Sequence, residues 1–85
     1  MKKFDYTVKD TLGIHARPAG ILVKEAKKYN SRIMLTRGEK SADASKLLAV
    51  MGMAVKCGQT VEVTVDGPDE AAAYEEIKTF FEANL

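Results

Sequence analysis

Between Thr60 and Asp66 three valines, Val61, Val63 and Val65, alternate with Glu62, Thr64 and Asp66. Successive side chains of a strand point to opposite faces, so this segment has one apolar face and one polar face. Lys3 to Lys9 repeats the pattern, with Phe4, Tyr6 and Val8 set against Asp5, Thr7 and Lys9. Arg32 to Arg37 puts Ile33 and Leu35 on one side and a polar face, Met34 excepted, on the other. A sheet of such strands is covered on one side only. Parallel sheets carry helices on both faces, so an antiparallel sheet with its helices on one side is expected.

The remaining elements follow from local signals. Thr11-Leu12-Gly13 breaks the first strand. Pro18 suits the first turn of a helix because its φ is already helical. Ala19, Leu22, Val23 and Ala26 then recur at helical spacing, which predicts a helix from about Ala16 to Lys28, ended by Asn30-Ser31. Gly38-Glu39 reads as a turn and Lys40 to Asp43 as a short third strand. Ser45 is placed to cap a short helix from Lys46 to about Met53, and Gly58 closes that region. After the Gly67-Pro68 turn, Asp69 and Glu70 fall in the first turn of a last helix, where acidic residues suit the dipole. Ala73, Ile77, Phe80 and Phe81 form its inward stripe. The order is β-α-β-β-α-β-α. The expected class is α+β, an open-faced two-layer β-sandwich with a four-stranded antiparallel sheet and three helices on one face.

With 85 residues the chain reads as one domain, residues 1–85. The formal net charge is +1, so a general nucleic-acid binder, which carries a basic excess, is disfavoured. Cys57 is the one cysteine and has no partner for an internal disulfide, which fits a cytosolic protein. The start, MKKFDYTVKD, lacks the apolar run of a signal peptide, and no stretch approaches the ~20 apolar residues of a membrane span. One His and one Cys are too few for a structural zinc site, so no metal and no cofactor are expected.

Gly13-Ile14-His15-Ala16-Arg17-Pro18-Ala19 is the chemically informative segment. His15 falls immediately before or at the start of the first helix. A helix N-terminus leaves backbone N–H groups without partners and favours anions, phosphate above all. It disfavours an imidazolium, so the neutral, nucleophilic imidazole gains. The guanidinium of Arg17 adds a planar fork that grips phosphate oxygens. Together they make a place to put a phosphoryl group on a histidine nitrogen, with the developing charge stabilised electrostatically. On spacing alone, a lone histidine in a turn is more often a polar turn residue, and a lone arginine a surface charge.

The second helix offers another clue. From Leu47 to Val55 it has almost no polar face, and a one-sided domain of this size cannot bury it all round. Leu47, Leu48 and Met51 are therefore expected to form an exposed patch, which marks a partner surface unless a loop covers it. Beside Arg17 on the first helix lie Gly20, Ile21, Lys24 and Lys27, suited to an acidic, partly apolar protein surface. The competing reading of that face is a solvated lysine surface with an incidental glycine, and for Lys28 that reading is preferred. Gly20 costs ~1 kcal/mol in a helix relative to Ala, which the close approach of another surface would explain. Ser41 reads as an ordinary strand residue and Cys57 as structural or incidental.

Across its whole length, and above all in the Gly13–Ala19 motif, the sequence resembles the HPr family, the histidine-containing phosphocarriers of the bacterial sugar phosphotransferase system. The resemblance implies a cytoplasmic carrier that accepts a phosphoryl group from enzyme I, charged by phosphoenolpyruvate, and passes it to the IIA components of sugar transporters. It implies that His15 carries the group on Nδ1, that Arg17 contacts it, and that Leu47, Leu48 and Met51 belong to the docking patch. It implies no membrane insertion and a monomer. In many relatives a serine opening the second helix is phosphorylated by an HPr kinase/phosphorylase and then assists a catabolite-control repressor. Here Lys46 occupies that position and serine falls one earlier, at Ser45. A one-residue shift turns a helical side chain by ~100°, so this regulation is expected to be absent or altered. The reading from another class is a regulatory or adaptor paralogue acting only through the apolar patch; His15 and Arg17 together argue against it. A small hydrolase lacks any general base near His15 that the sequence identifies.

Overall fold

Four strands form one sheet in the computed structural model, which describes residues 1–85. They are β1 (Lys2–Thr7), β2 (Arg32–Arg37), β3 (Lys40–Asp43) and β4 (Thr60–Asp66), with helices α1 (Ala16–Ala26), α2 (Leu47–Gly52) and α3 (Glu70–Asn84) between and after them. The sheet order is β1-β4-β2-β3, and every neighbouring pair is antiparallel. Register follows the valines. Val61 lies opposite Tyr6; Val63 lies between Phe4 and Leu35; Val65 lies opposite Ile33. A one-residue slip would turn all of these apolar side chains to the wrong face. The fold class is the expected one: α+β, open-faced, with all neighbouring strands antiparallel.

The helices bury the stripes expected of them. Pro18, Ala19, Leu22, Val23 and Ala26 of α1 are buried, as are Ala73, Ile77, Phe80 and Phe81 of α3. Phe81 is the largest fully buried side chain and sits edge-on to Phe4, Tyr6 and Phe80, with ring centroids 5.8, 5.6 and 5.9 Å away. Such contacts add to the area they bury and fix α3 across β1. One cluster of 21 buried residues forms the core, and no polar or charged residue is buried. No helix is long and apolar enough to cross a membrane.

Several boundaries differ from expectation. β1 ends at Thr7, before Lys9, because the Lys9 N–H leaves the ladder and donates to the carbonyl of Leu85. α1 ends at Ala26, before Lys28, where the amides of Lys28 and Tyr29 bond three residues back in a tighter turn. α2 is shorter than Lys46–Met53, and Ser45 does not cap it. Lys46 holds the N-cap position and makes no side-chain cap bond. The N–H and hydroxyl of Ser45 both donate to Asp43 Oδ1, at 2.8 and 2.6 Å. A serine one position too early closes a local side-chain turn instead. Asp69 is likewise outside the first turn of α3, and its carboxylate accepts from the Ser31 hydroxyl and the Asn30 amide. Glu70 does open α3, and its Oε2 is 2.9 Å from the amino group of Met1.

Loop 8–14 has no regular element, yet it is closely bonded. Val8 N–H donates to Gln59 O, and Gly58 N–H to Val8 O. The Lys9 and Asp10 amides donate to Leu85 O, and Ile14 N–H donates to Val55 O at 2.9 Å. Gly13 makes the last contact possible. Its φ is +68°, and a Cβ there would lie 2.3 Å from the Val55 carbonyl oxygen. Gly38, at φ +61°, faces open space.

Gly13→Ala is expected to destabilise the protein by about 2–3 kcal/mol, and Gly38→Ala by only about 1 kcal/mol, since only the first adds a clash to the left-handed backbone. Urea unfolding of both variants measures the difference. The Ser45 hydroxyl and amide hold the Asp43 carboxyl below its ordinary value. A carboxyl lowered on folding stabilises above its unfolded pKa and stops doing so as pH falls through the folded one. Ser45→Ala is therefore expected to cost about 1 kcal/mol at neutral pH. The gap to the wild type should close on acidification below the carboxylate range, as unfolding at a series of pH values would record.

Candidate functional site

His15 holds the N-cap position of α1 in extended backbone, φ −106° and ψ −176°, as the sequence places it. Its imidazole makes no capping hydrogen bond, so the ring is free for other chemistry. The His15 carbonyl accepts the Ala19 N–H at 3.0 Å, which starts the helix. Ahead of it, the amides of Ala16 and Arg17 have no backbone acceptor, and Pro18 has no N–H to satisfy. Two donors at the positive end of a helix therefore stand beside the ring. Buried Pro18 and the Ile14–Val55 bond fix where the chain enters the helix. Arg17 is exposed and forms no ion pair, so its guanidinium is available to a ligand.

His15 and Arg17 share a shallow pocket of about 250 Å³ with Asp10, Pro18, Ile21 and Asn84. The His15 side chain is 35% exposed, so a group placed on it stays accessible to a second protein. Two of these residues were invisible from spacing. Asp10 Oδ1 lies 3.9 Å from His15 Nε2, farther than a hydrogen bond. The same oxygen accepts the Leu12 N–H at 2.8 Å. An Asp just ahead of a Gly-containing turn is the available signal for such a local bond. Asn84 comes from the far end of the chain, where its amide donates to Phe80 O, and no local signal links it to His15.

The apolar patch is exposed. Leu48 is 86% exposed, Leu47 41% and Met51 39%, while Val50 on the other side of α2 is buried. Ile21 is 40% exposed, and Gly20 and Lys24 on α1 and Lys27 just past its end are all exposed. A Cβ on Gly20 would meet nothing within 4 Å, so no part of this chain accounts for the glycine. Leu12, 71% exposed in the loop before His15, was missed because a lone leucine in a turn has no periodicity. Lys28 pairs with Glu25 at 3.1 Å, as an ordinary surface lysine would. Ser45 and Lys46 flank the start of α2 and lie outside the His15 pocket. Cys57 is exposed, with Sγ 3.7 Å from Lys9 O. No three His, Cys, Asp or Glu side chains come together in a metal-binding group.

Comparison with known proteins places this geometry in context. Residues 2–83 match the family model described as the PTS HPr component phosphorylation site. The phosphocarrier protein HPr of Treponema pallidum is 43% identical over 70 residues, which span 82% of this chain and 80% of that one. The HPr-like protein Crh of Halalkalibacterium halodurans is 33% identical over 75 residues, 88% of this chain and 89% of that one. The solved structure of a mycoplasma histidine-containing phosphocarrier protein superposes with a TM-score of 0.91 at 38% identity, covering 93% of this chain and 90% of the other. An open antiparallel sheet with three helices, a histidine at the N-cap of the first of them, and a family match over nearly every residue lead to one assignment: the chain belongs to the HPr family of phosphocarriers of the phosphotransferase system.

Proposed function

We propose that this protein is a cytoplasmic phosphocarrier that accepts a phosphoryl group on His15 from phospho-enzyme I and passes it to the IIA components of sugar transporters. The observation that carries the reading is the uncapped imidazole of His15, standing beside two unpaired amides and the free guanidinium of Arg17. The Nδ1 lone pair attacks phosphorus in line, and the bond to the donor breaks with its electrons leaving on enzyme I. Arg17 and the helix N-terminus stabilise the charge on the transferring oxygens. Because the ring is half-exposed, the group is held without being buried, which lets the next protein reach it.

Docking is assigned to the apolar surface around this site. Of six large hydrophobic residues exposed on the chain, five lie on the loop before His15, on α1 and on α2: Leu12, Ile21, Leu47, Leu48 and Met51. Lys24 and Lys27 add positive charge, so the fitting partner surface is acidic and partly apolar. HPr kinase/phosphorylase and a catabolite-control repressor are not assigned as partners. Lys46 cannot take a phosphoryl group as serine does, and the Ser45 hydroxyl is engaged by Asp43.

Incubation with enzyme I and phosphoenolpyruvate is expected to add ~80 Da, lost in acid as phosphohistidine is. His15→Ala should gain nothing, and Arg17→Ala should slow acceptance about tenfold or more. No gain from folded protein with active enzyme I would overturn the carrier reading in favour of the adaptor one. Leu48→Glu is expected to raise the apparent KM for phospho-enzyme I while leaving thermal stability unchanged, since that side chain touches little of its own protein.

A further inference from the structure

The carboxylate of Asp10 faces the nitrogen of His15 that the transfer does not use. Its Oδ1 is 3.9 Å from Nε2, within the pocket that holds the ring. Three bonds fix its position. The Asp10 N–H donates to Leu85 O, its carbonyl accepts the Gly13 N–H at 2.9 Å, and Oδ1 accepts the Leu12 N–H at 2.8 Å. A carboxylate anchored to its own turn and to the chain terminus does not swing freely into solvent, so its direction is a property of the fold.

We infer that Asp10 is a positioning residue for phosphoryl transfer: it keeps the proton of the neutral imidazole on Nε2 and so presents the Nδ1 lone pair. A neutral imidazole has one N–H and one lone pair, and a fixed carboxylate charge 3.9 Å from Nε2, beyond hydrogen-bond length, favours the N–H on that side of the ring by electrostatic attraction. When Nδ1 forms its bond to phosphorus, the bond between phosphorus and the donor breaks and its electron pair stays with enzyme I. The Nε2 proton remains on the ring, which now carries positive charge. Asp10 faces that charge as it develops. The helix N-terminus, which suits the transferring anion, disfavours the same cation, and the carboxylate offsets this on the other side of the ring.

The inference rests on transfer through Nδ1 of His15, and two readouts separate its failure from the failure of that reading. Nitrogen NMR of the unphosphorylated protein, at a pH where His15 is neutral, reports the tautomer without any partner. The wild type is expected to be mainly the Nε2–H form. Asp10→Asn keeps an oxygen for the Leu12 amide, and so the turn, while removing the charge; Asp10→Ala removes both. The Nε2–H fraction should fall in Asn and further in Ala. The rate of acceptance from phospho-enzyme I should fall roughly 5-fold in Asn, the equivalent of about 1 kcal/mol in the barrier. Wild-type tautomer populations in both variants would overturn the inference, whatever His15→Ala does. An unchanged acceptance rate in Asp10→Asn would do the same while leaving His15 as the carrier.

Discussion

β4 is the strand on which the rest depends. It is the last strand in sequence, yet it lies in the middle of the sheet, and it is the only partner of β1. Its three valines are fully buried, and each faces an apolar residue of a neighbouring strand. Until β4 is in place, β1 has no ladder and Phe4 and Tyr6 have no reason to face α3. Placing the closing strand centrally also brings the residues just before it, Val55 to Gln59, against the loop that leaves β1. The same insertion that completes the core therefore anchors the loop that leads to His15.

That loop is rigid by bonding rather than by regular structure. Its amides and carbonyls are taken by Val55, Gln59, Gly58 and the terminal residue Leu85. Gly13 lets two backbones approach to a distance that a Cβ forbids. The result is a histidine mounted on an immobilised entry to a helix, with its ring left outside the core. A carrier needs both properties. The acceptor atom must be held for in-line attack, and the product must remain open to the next protein. The core carries no polar group and the site carries no fully buried one, so stability and transfer chemistry are separated in space.

Much of this is legible in the sequence alone. Helical spacing picked out the buried residues of α1 and α3, and alternation picked out the inward faces of β1, β2 and β4. A helix apolar nearly all round, in a domain too small to bury all of it, points to Leu47, Leu48 and Met51. These readings succeed because burial imposes a period on the sequence, and a period survives without knowledge of the partner. The misread residues share the opposite property. Local preference alone points to Ser45 as a cap and to Asp69 as a first-turn acid. In the folded chain Ser45 turns to Asp43 and Asp69 to Ser31 and Asn30. A short polar side chain takes the first well-placed partner, and which partner is nearest depends on the turn geometry or on a distant loop.

The amino-acid order by itself determined the one-sided strands, hence the antiparallel open sheet, and it placed His15 and Arg17 at a helix start. Those are local facts, written in periodicity and in the fixed φ of Pro18. Only the tertiary structure decided that β4 sits between β1 and β2, and that the C-terminal end of α3 reaches back to the first loop. Only it decided that Asp10 lies against Nε2 of His15 with Asn84 beside them. Contacts between residues far apart in sequence, or across an irregular turn, leave no period to read. They exist because burying the apolar faces of β4 and α3 brings those backbones together.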